Sequence, residues 1–549
     1  MSKRWLVMYE ISQKQRYIFR SNRLRENIGA STIIRWLTET PELFFQEWHV
    51  RKPEWLHSTV GGGNALYVFE SQEEAKAFAN ELSFGVLKHL PGLELFLVTE
   101  SMDWDMDRLY GSEGAAEDGR TNVIGHMRNR LAAKKNRREH AIRQYTWGIH
   151  QLCADSGMPA NDLVEMPDSD KPVARAKELI VKEEFGRKSL KDFDDRFLKG
   201  LDVVPDNGKK LEFMTQEYLE EVLDKEKSAK NYVAIVHIDG NAMGKKVEAF
   251  LEKKFPNNDH YLKEYAQFTK TIDDAYQTAM RQMIAHVMRK YDSWAEVIYG
   301  GDKAQMEKYA HVVPLRPVVQ SGDDVTFIAL GQLGIEMARI FLQYLQQTSM
   351  TINGCQFLFD ACAGVAIVRR KFPFWLAYEL AEGLCANAKK RLKREEKFWS
   401  STEASLIDWE VVTSGDVDPD IERRRERIYL TDEGPLLNRP YYLFRDNGDG
   451  RYKHPSNYMT AFLPALKTIK GETDHTSKSN MARSKWKALR SVYHLGRTAA
   501  EQWATQNRFK TGQFLYVNVP NRDGKVSAYF YDAIEVMNHI IRLDEVSVQ

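Results

Sequence analysis

The chain of 549 residues carries 78 Lys+Arg against 77 Asp+Glu, a net charge of +1, so no global basic field advertises nucleic acid. With 43% hydrophobic and 11% aromatic residues it can build real cores, which excludes a disordered chain, and its length suggests roughly three or four units. Four cysteines (Cys153, Cys355, Cys362, Cys385) exclude a disulfide-dense secreted scaffold and more than one all-thiolate zinc site. The first apolar run is broken by Glu10 and Gln13 and does not read as a signal peptide, and no run approaches the roughly eighteen uncharged apolar residues of a membrane span. A cytoplasmic protein is the expectation.

In chain order, Trp5 to Glu10 reads as a strand, followed by a polar, Arg-rich helical stretch from Gln13. Ser58 to Asn64 reads as a short strand running into a glycine hairpin, Gly61-Gly62-Gly63-Asn64, and Ala65 to Phe69 as the next strand. A helix rich in Glu and Ala and a strand from Leu93 to Val98 complete a β-α-β-β-α-β unit of ferredoxin-like order. Residues from about 115 to 228 are charged and mostly helical; the basic run Arg128 to Arg143 fits either a phosphate-contacting surface or a solvated helix face.

The order then repeats. Tyr232 to Ile238 is a continuous apolar run, as a central strand should be, and Leu262, Tyr265, Phe268, Ile272 and Ala275 recur at helical spacing. Arg316 to Gln320, the turn Ser321-Gly322-Asp323-Asp324, and Val325 to Leu330 predict a hairpin. A helix from Gly334, a strand from Phe357 to Val368, an amphipathic helix ending near Lys389-Lys390, and an extra strand from Leu406 to Val412 close the unit. The predicted class is α+β with four regions: 1–112, a helical 113–228, 229–415, and a loop-rich and helical 416–549.

The second unit carries the chemistry. Asp239 ends an apolar strand and is followed at once by Gly240, which lets a ligand approach the backbone. Asp323 and Asp324 sit on the hairpin between neighbouring strands, so three carboxylates should converge. Such a group persists when cations neutralise it, and hard oxygen ligands with spare positions suit Mg²⁺. Gly-Asp-Asp is also good turn chemistry without any metal, and both explanations stay open for the hairpin alone. His237 reads as a strand residue. In the first unit, Glu10 stands roughly where Asp239 stands, and the glycine hairpin lacks the acids; its backbone amides suit a phosphate or ribose, or simply a turn.

These residues resemble the large, polymerase-like subunit of type III CRISPR effector complexes. The similarity rests on YEISQKQRYIFRSNRLRENIGAS and STVGGGNALYVF in the first unit, and on YVAIVHIDGNAMG, PLRPVVQSGDDVTF, FDACAGVAI, ANAKKR and SLIDWEVV in the second. The resemblance implies two ferredoxin-like palm domains of the nucleotide cyclase and polymerase type, with helical inter-palm and C-terminal regions. It implies a two-metal nucleotidyltransferase, using Mg²⁺ or Mn²⁺, that joins ATP 3′ to 5′ into cyclic oligoadenylate messengers in antiviral defence.

Carried over by motif, Asp239, Asp323 and Asp324 fall on the catalytic, metal-binding positions, and Lys389 on a lysine near the triphosphate. Ser31, Gly62, Gly63 and Asn64 would line a second nucleotide pocket. Ser321 and Gly322 form the nucleotide-side hairpin with Ser in place of a glycine, and Asn241, after Gly240, stands where many members carry a second aspartate. The family's N-terminal HD nuclease motif has no match, and its zinc segment is reduced to Cys153 in LCADSGMPA, so no zinc is expected. CRISPR RNA, target RNA and effector subunits are the implied partners, without a membrane, and self-association stays open. Two alternatives remain at this stage: an RNA- or nucleotide-binding scaffold subunit without catalysis, and a cyclic dinucleotide cyclase.

Overall fold

A computed structural model describes residues 3–49, 54–61, 64–110, 122–137, 148–165, 171–203, 205, 207–223, 231–253, 255–395, 404–413, 418, 420–444, 456–472, 481–509, 515–518 and 526–543. The hairpin residues Gly62 and Gly63 and the basic run beyond Arg137 lie outside them.

The first unit runs β1 (Lys3–Ser12), α1 (Leu24–Glu39), β2 (His57–Gly61), β3 (Asn64–Phe69), α2 (Gln72–His89), β4 (Glu94–Asp103). Its four strands lie in the order β2-β3-β1-β4, all antiparallel, as a split β-α-β-β-α-β unit requires. The basic helix α3 (Val123–Arg137) follows, and α4 (Lys177–Phe197) packs along α1. The two helices touch backbone to backbone: a Cβ on Gly29 would fall 1.8 Å from the Lys182 carbonyl oxygen, and one on Gly186 2.1 Å from that of Arg25. Only glycine fits at that crossing, and it fixes the face of α1 that carries Ser31 and Thr32.

The second unit runs β5 (Tyr232–Gly240), α5 (Asn258–Arg289), β6 (Leu315–Ser321), β7 (Asp324–Leu330), α6 (Gly334–Leu345), β8 (Ala361–Arg369), α7 (Phe374–Glu395), β9 (Ser405–Val411), α8 (Ile421–Tyr429), β10 (Tyr441–Leu443). The strands form one six-stranded sheet in the order β6-β7-β5-β8-β9-β10, with β8 and β9 parallel. Helices cover both faces. A Cβ on Gly334 of α6 would meet Ala234, and one on Gly364 of β8 would meet the Ala381 carbonyl of α7. Sandwiched this way, β5 is apolar on both sides, which explains why its sequence shows no alternation.

Two details differ from the sequence reading. The strand expected over 357–368 is broken: Cys355–Leu358 pairs with Ser349–Ile352 in a small separate hairpin, and the sheet strand starts at Ala361. The region beyond 416 contributes the edge strand β10, which had no sequence signal because three residues are too few to show a period. Buried ion pairs tie that region to β9, with Arg439 bonding Glu410, Asp532 and Glu535.

Three cations of α3 are engaged within the chain. Arg130 bonds Glu100 and the Thr99 carbonyl, Lys134 the Leu97 carbonyl, and Lys135 both carboxylate oxygens of Glu10. Cys153 is buried against Met158, Ala176 and Leu179 as a small apolar residue. Among the described residues, no helix is long and apolar enough to cross a membrane.

Candidate active site

The site forms where β5 and the β6–β7 hairpin end together. Asp239 lies directly opposite Asp324 in the register, and Ser321 opposite Asp324 across a two-residue turn, Gly322-Asp323. Gly322 takes φ +58°, a left-handed value that suits glycine at the first position of such a turn. Cross-strand partners share a face, so Asp239 and Asp324 project together. Asp323 joins them from the turn: a Cβ on Gly240 would lie 2.8 Å from its Oδ2 and 2.6 Å from the Tyr276 hydroxyl. Gly240 is therefore required for the turn to close onto β5.

Helix α7 lies over the same face and aims a stripe of side chains at it. Tyr378 meets the His237 ring edge-on, Cys385 donates to the Cys362 carbonyl, and Lys389 reaches the acids. The spacing from Tyr378 through Cys385 to Lys389 follows one face of a helix. Lys389 Nζ donates to Asp239 Oδ2 at 2.5 Å and to the Gly240 carbonyl at 2.8 Å. Burial works against its charge, but Asp239 outweighs it and the ammonium is held above its ordinary pKa.

The remaining acids are poorly compensated. Burial first, and the charge of Asp239 second, push Asp323 up to about 6 and Asp324 up to about 7. Glu382 on α7 is also raised, by burial and by Asp324 and Asp239, with His237 opposing. His237 bonds Thr326 Oγ1 at 3.1 Å, with Asp324 Oδ1 3.6 Å away, and burial lowers its pKa. It backs the carboxylates, which is more than the strand role expected of it.

The first unit closes the site. Phe19 stacks on Tyr378 at 3.8 Å between centroids and on Phe374 at 5.7 Å, docking the segment after β1 onto α7. The helical turn Lys14–Ile18 and α1 then wall a cavity of about 230 Å³ whose other wall is β6 and the hairpin, with Ser321, Asp323 and Asp324. Lys14 faces Asp324, Glu10 and Asp323 there; burial pulls its pKa down against their pull upward.

The predicted site residues divide as follows. Asp239, Asp323, Asp324, Gly240, Ser321, Gly322 and Lys389 come together. Ser31 joins them, lining the same cavity from α1. Asn64 does not: it lines a separate cavity of about 270 Å³ between the first sheet, α3 and α5, with Glu10, Arg128, Lys135, Tyr261 and Tyr265. The single second pocket expected from Ser31 and Asn64 is thus two places, because α1 leans toward the second sheet while the first hairpin faces α3 and α5. Asn241 turns away from the acids: its Nδ2 donates to the Ala404 carbonyl and its backbone N–H to the Asp360 carbonyl, pinning the end of β5. Lys14, Thr32, Arg35, Phe193 and Gln320 line the acid cavity without having been singled out in the sequence. Gln320, a polar residue next to the hairpin, was the one with a readable signal; Phe193 gave none.

The donor set suits a hard divalent ion. Among the described residues no three His, Cys, Asp or Glu side chains are gathered as ligands of one ion, and one oxygen of Asp239 is bonded by Lys389. Mg²⁺ commonly takes only one or two carboxylates and completes its shell with substrate phosphates and water. Two acids with raised pKa values, on a glycine-bordered turn, fit that requirement.

No protein-family model matches the chain, and no curated protein matches it in sequence. Solved structures do. The chain aligns over 98% of its length with 69% of a chain from the Csm1-Csm4 cassette in complex with AMPPNP, at TM-score 0.50 and 11% identity. The same cassette in complex with pppApA gives TM-score 0.49 at 11% identity, with the same coverage of 98% and 69%. Csm1 from T.onnurineus gives 0.43 at 12% identity, covering 99% of this chain and 70% of that one. An α+β protein with two such sheets is the class defined here, and its fold is that of Csm1 of type III CRISPR complexes. At the level of fold, the resemblance seen in the sequence is borne out.

Proposed function

We propose that this protein is a metal-dependent nucleotidyltransferase that joins ATP 3′ to 5′ into cyclic oligoadenylates for CRISPR-based antiviral defence. The carrying observation is the register pairing of Asp239 with Asp324, with Asp323 on the adjoining turn, in a cavity closed by the first unit. The two β-α-β-β-α-β units, residues 1–112 and 229–415, act as palm domains flanked by the helical 113–228 and the C-terminal 416–549. A protein of the same fold was solved with AMPPNP, which supports a nucleoside triphosphate as the ligand.

The reaction is an in-line displacement: a 3′-oxygen attacks an α-phosphorus, the new P–O bond forms, the bond to pyrophosphate breaks, and the hydroxyl proton departs. Asp323 and Asp324, with Asp239 beside them, would hold Mg²⁺ or Mn²⁺, which would supply the positive charge this displacement needs. Lys389, bonded to Asp239, and Lys14 add fixed positive charge on two sides of the acids, which suits a triphosphate. Ser31 and the Ser321-Gly322 turn border the sugar and phosphates. Asn241 serves by holding β5 in place. Csm4-like and other effector subunits, with CRISPR RNA, are the proposed partners.

The test is mass analysis of products after incubation with all four nucleoside triphosphates and Mg²⁺ or Mn²⁺, with and without effector subunits and target RNA. The expected product is a cyclic oligoadenylate, lost on chelation and in Asp323→Ala with Asp324→Ala. A wild-type protein that binds no ATP under any of these conditions overturns the reading.

A further inference from the structure

Tyr276 of α5 is 0% exposed, yet its hydroxyl has no hydrogen-bond partner among the described residues. A buried hydroxyl left unmade costs free energy, and native folds rarely keep one without a use. Packing alone does not demand it. The ring sits edge-on to Phe359 and tilted against Phe341 of α6, both at 6.2 Å between centroids, so a phenylalanine would fill the same place. The hydroxyl is aimed at one spot. Side chains alternate along β5, so Gly240 shares with Ala234 the sheet face covered by α6, opposite the face where Asp239 meets Lys389. Lacking a side chain, Gly240 leaves a window onto the underside of the hairpin. The point where its Cβ would stand is 2.6 Å from the Tyr276 oxygen and 2.8 Å from Asp323 Oδ2. Two oxygens this close to one point are kept from hydrogen-bond distance only by a small movement of the turn. The other acids around the hydroxyl are engaged: Asp239 accepts from Lys389, and Asp360 from Gln346 Nε2 at 3.3 Å. Asp323 accepts from no side chain among the described residues.

We propose that Tyr276 is a positioning residue whose hydroxyl donates to Asp323 Oδ2 when the site takes up a divalent cation, aiming the other carboxylate oxygen at the ion. The proposal rests on the metal-dependent reading above and adds a residue that touches neither the ion nor the substrate. A carboxylate carried on a turn can rotate about its side chain and has two equivalent oxygens. A fixed donor on one oxygen selects the orientation that presents the other, and such donors to ligating carboxylates strengthen metal binding. Tyr276 can act as that fixed donor because it stands on a 32-residue helix with its ring held by Phe341 and Phe359. Burial first, then the charges of Asp323, Asp239 and Asp360, raise the pKa of the hydroxyl, so it keeps its proton. Lys389 thus engages Asp239 from one face of the sheet and Tyr276 engages Asp323 from the other. Two acids of the site are governed by two separate helices, and Gly240 is the opening that lets the second reach its target.

The experiment measures Mn²⁺ binding to the full-length protein by electron paramagnetic resonance, together with metal-free denaturant unfolding, for wild type, Tyr276→Phe, Asp323→Asn and the double variant. Tyr276→Phe is expected to lose about tenfold in Mn²⁺ affinity. Its metal-free unfolding midpoint should stay the same or rise, because the change deletes an unpaired buried hydroxyl and keeps the ring. Asp323→Asn should weaken binding more, and adding Tyr276→Phe to it should change the residual affinity by less than about twofold, since the hydroxyl acts through that carboxylate. A folded Tyr276→Phe that binds Mn²⁺ as wild type does overturns the proposal. A tenfold loss that recurs undiminished in the Asp323→Asn background overturns it as well. So does a loss of affinity matched by a lower metal-free midpoint, which would make Tyr276 a packing residue. A wild type that takes up no Mn²⁺, alone or with AMPPNP present, sinks the metal-dependent reading itself, and that outcome is distinct from the other three.

Discussion

The two sheets place different chemistry at the same topological point. In the second, Asp239 pairs with Asp324; in the first, the matching pair is Glu10 with Asn64. The next residue differs too: Gly240 in the second sheet, where a Cβ would strike Asp323 and Tyr276, and the buried Ile11 in the first. Each acid has a lysine, but from unrelated helices. Lys135 of α3 takes both oxygens of Glu10 at 2.7 Å, whereas Lys389 of α7 takes one oxygen of Asp239. The first pair is a closed ion pair, neutralised by the protein. The second leaves Asp323 and Asp324 raised by burial and by the charge of Asp239, which Lys14 and Lys389 offset only in part. The same scaffold occurs twice, and the charged site differs from the settled one in having Asp323 and Asp324 where the first unit has Gly63 and Asn64, and Gly240 where it has Ile11.

The sharpest way to break this comparison is to remove each hairpin's polar pair in turn. Asp323→Ala with Asp324→Ala should lower nucleotide condensation by more than about a thousandfold, because the charge stabilising the transition state is lost. Glu10→Ala with Asn64→Ala should change it by about tenfold at most, as read by product mass. Equal losses would mean that both hairpins take part in the chemistry.

A smaller effect is expected at Gly240. Gly240→Ala forces its methyl into Asp323 and the buried Tyr276 hydroxyl, so it should cost about 1–3 kcal/mol by denaturant unfolding and displace the turn. Ile11→Ala in the first sheet should cost a similar amount, about 2–4 kcal/mol, through lost packing, yet leave condensation near wild type. If Gly240→Ala is neutral, the close approach of turn and strand is wrong.

The smallest effect is in pH. An unfolded chain titrates these aspartates near 3.8, and the folded one near about 6 for Asp323 and about 7 for Asp324. The folded protein thus binds more protons between roughly pH 4 and 7, so its unfolding free energy should fall as pH rises through that window. Without divalent ions, Asp323→Asn with Asp324→Asn should be more stable than wild type at pH 8 by about 1–3 kcal/mol, and by much less at pH 4. Parallel unfolding curves at the two pH values would remove the claim of strained carboxylates. Asn64 has no proton to trade, so the first hairpin offers no counterpart.

Much of this was legible in the sequence, for local reasons. Strand β5 announced itself by an unbroken apolar run, the hairpin by its Gly-Asp turn, and Asp239 by standing where such a run ends. These signals lie within a few residues of each other, so period and turn chemistry encode them directly. Repetition of the order β-α-β-β-α-β then placed the acids on neighbouring strands before any coordinates were known. The tertiary structure decided the rest. That Ser31 shares a cavity with Asp324 while Asn64 does not depends on how α1 leans, which Gly29 and Gly186 set by a helix crossing 157 positions apart in the chain. Thr32, Phe193 and Gln320 line one cavity only because an element of each unit and the helix α4 between them close on one space, and Lys135 finds Glu10 across a separation of 125 positions. Local patterns carry propensity and polarity; which distant side chains share a space is fixed by packing, and no short stretch of sequence contains that information.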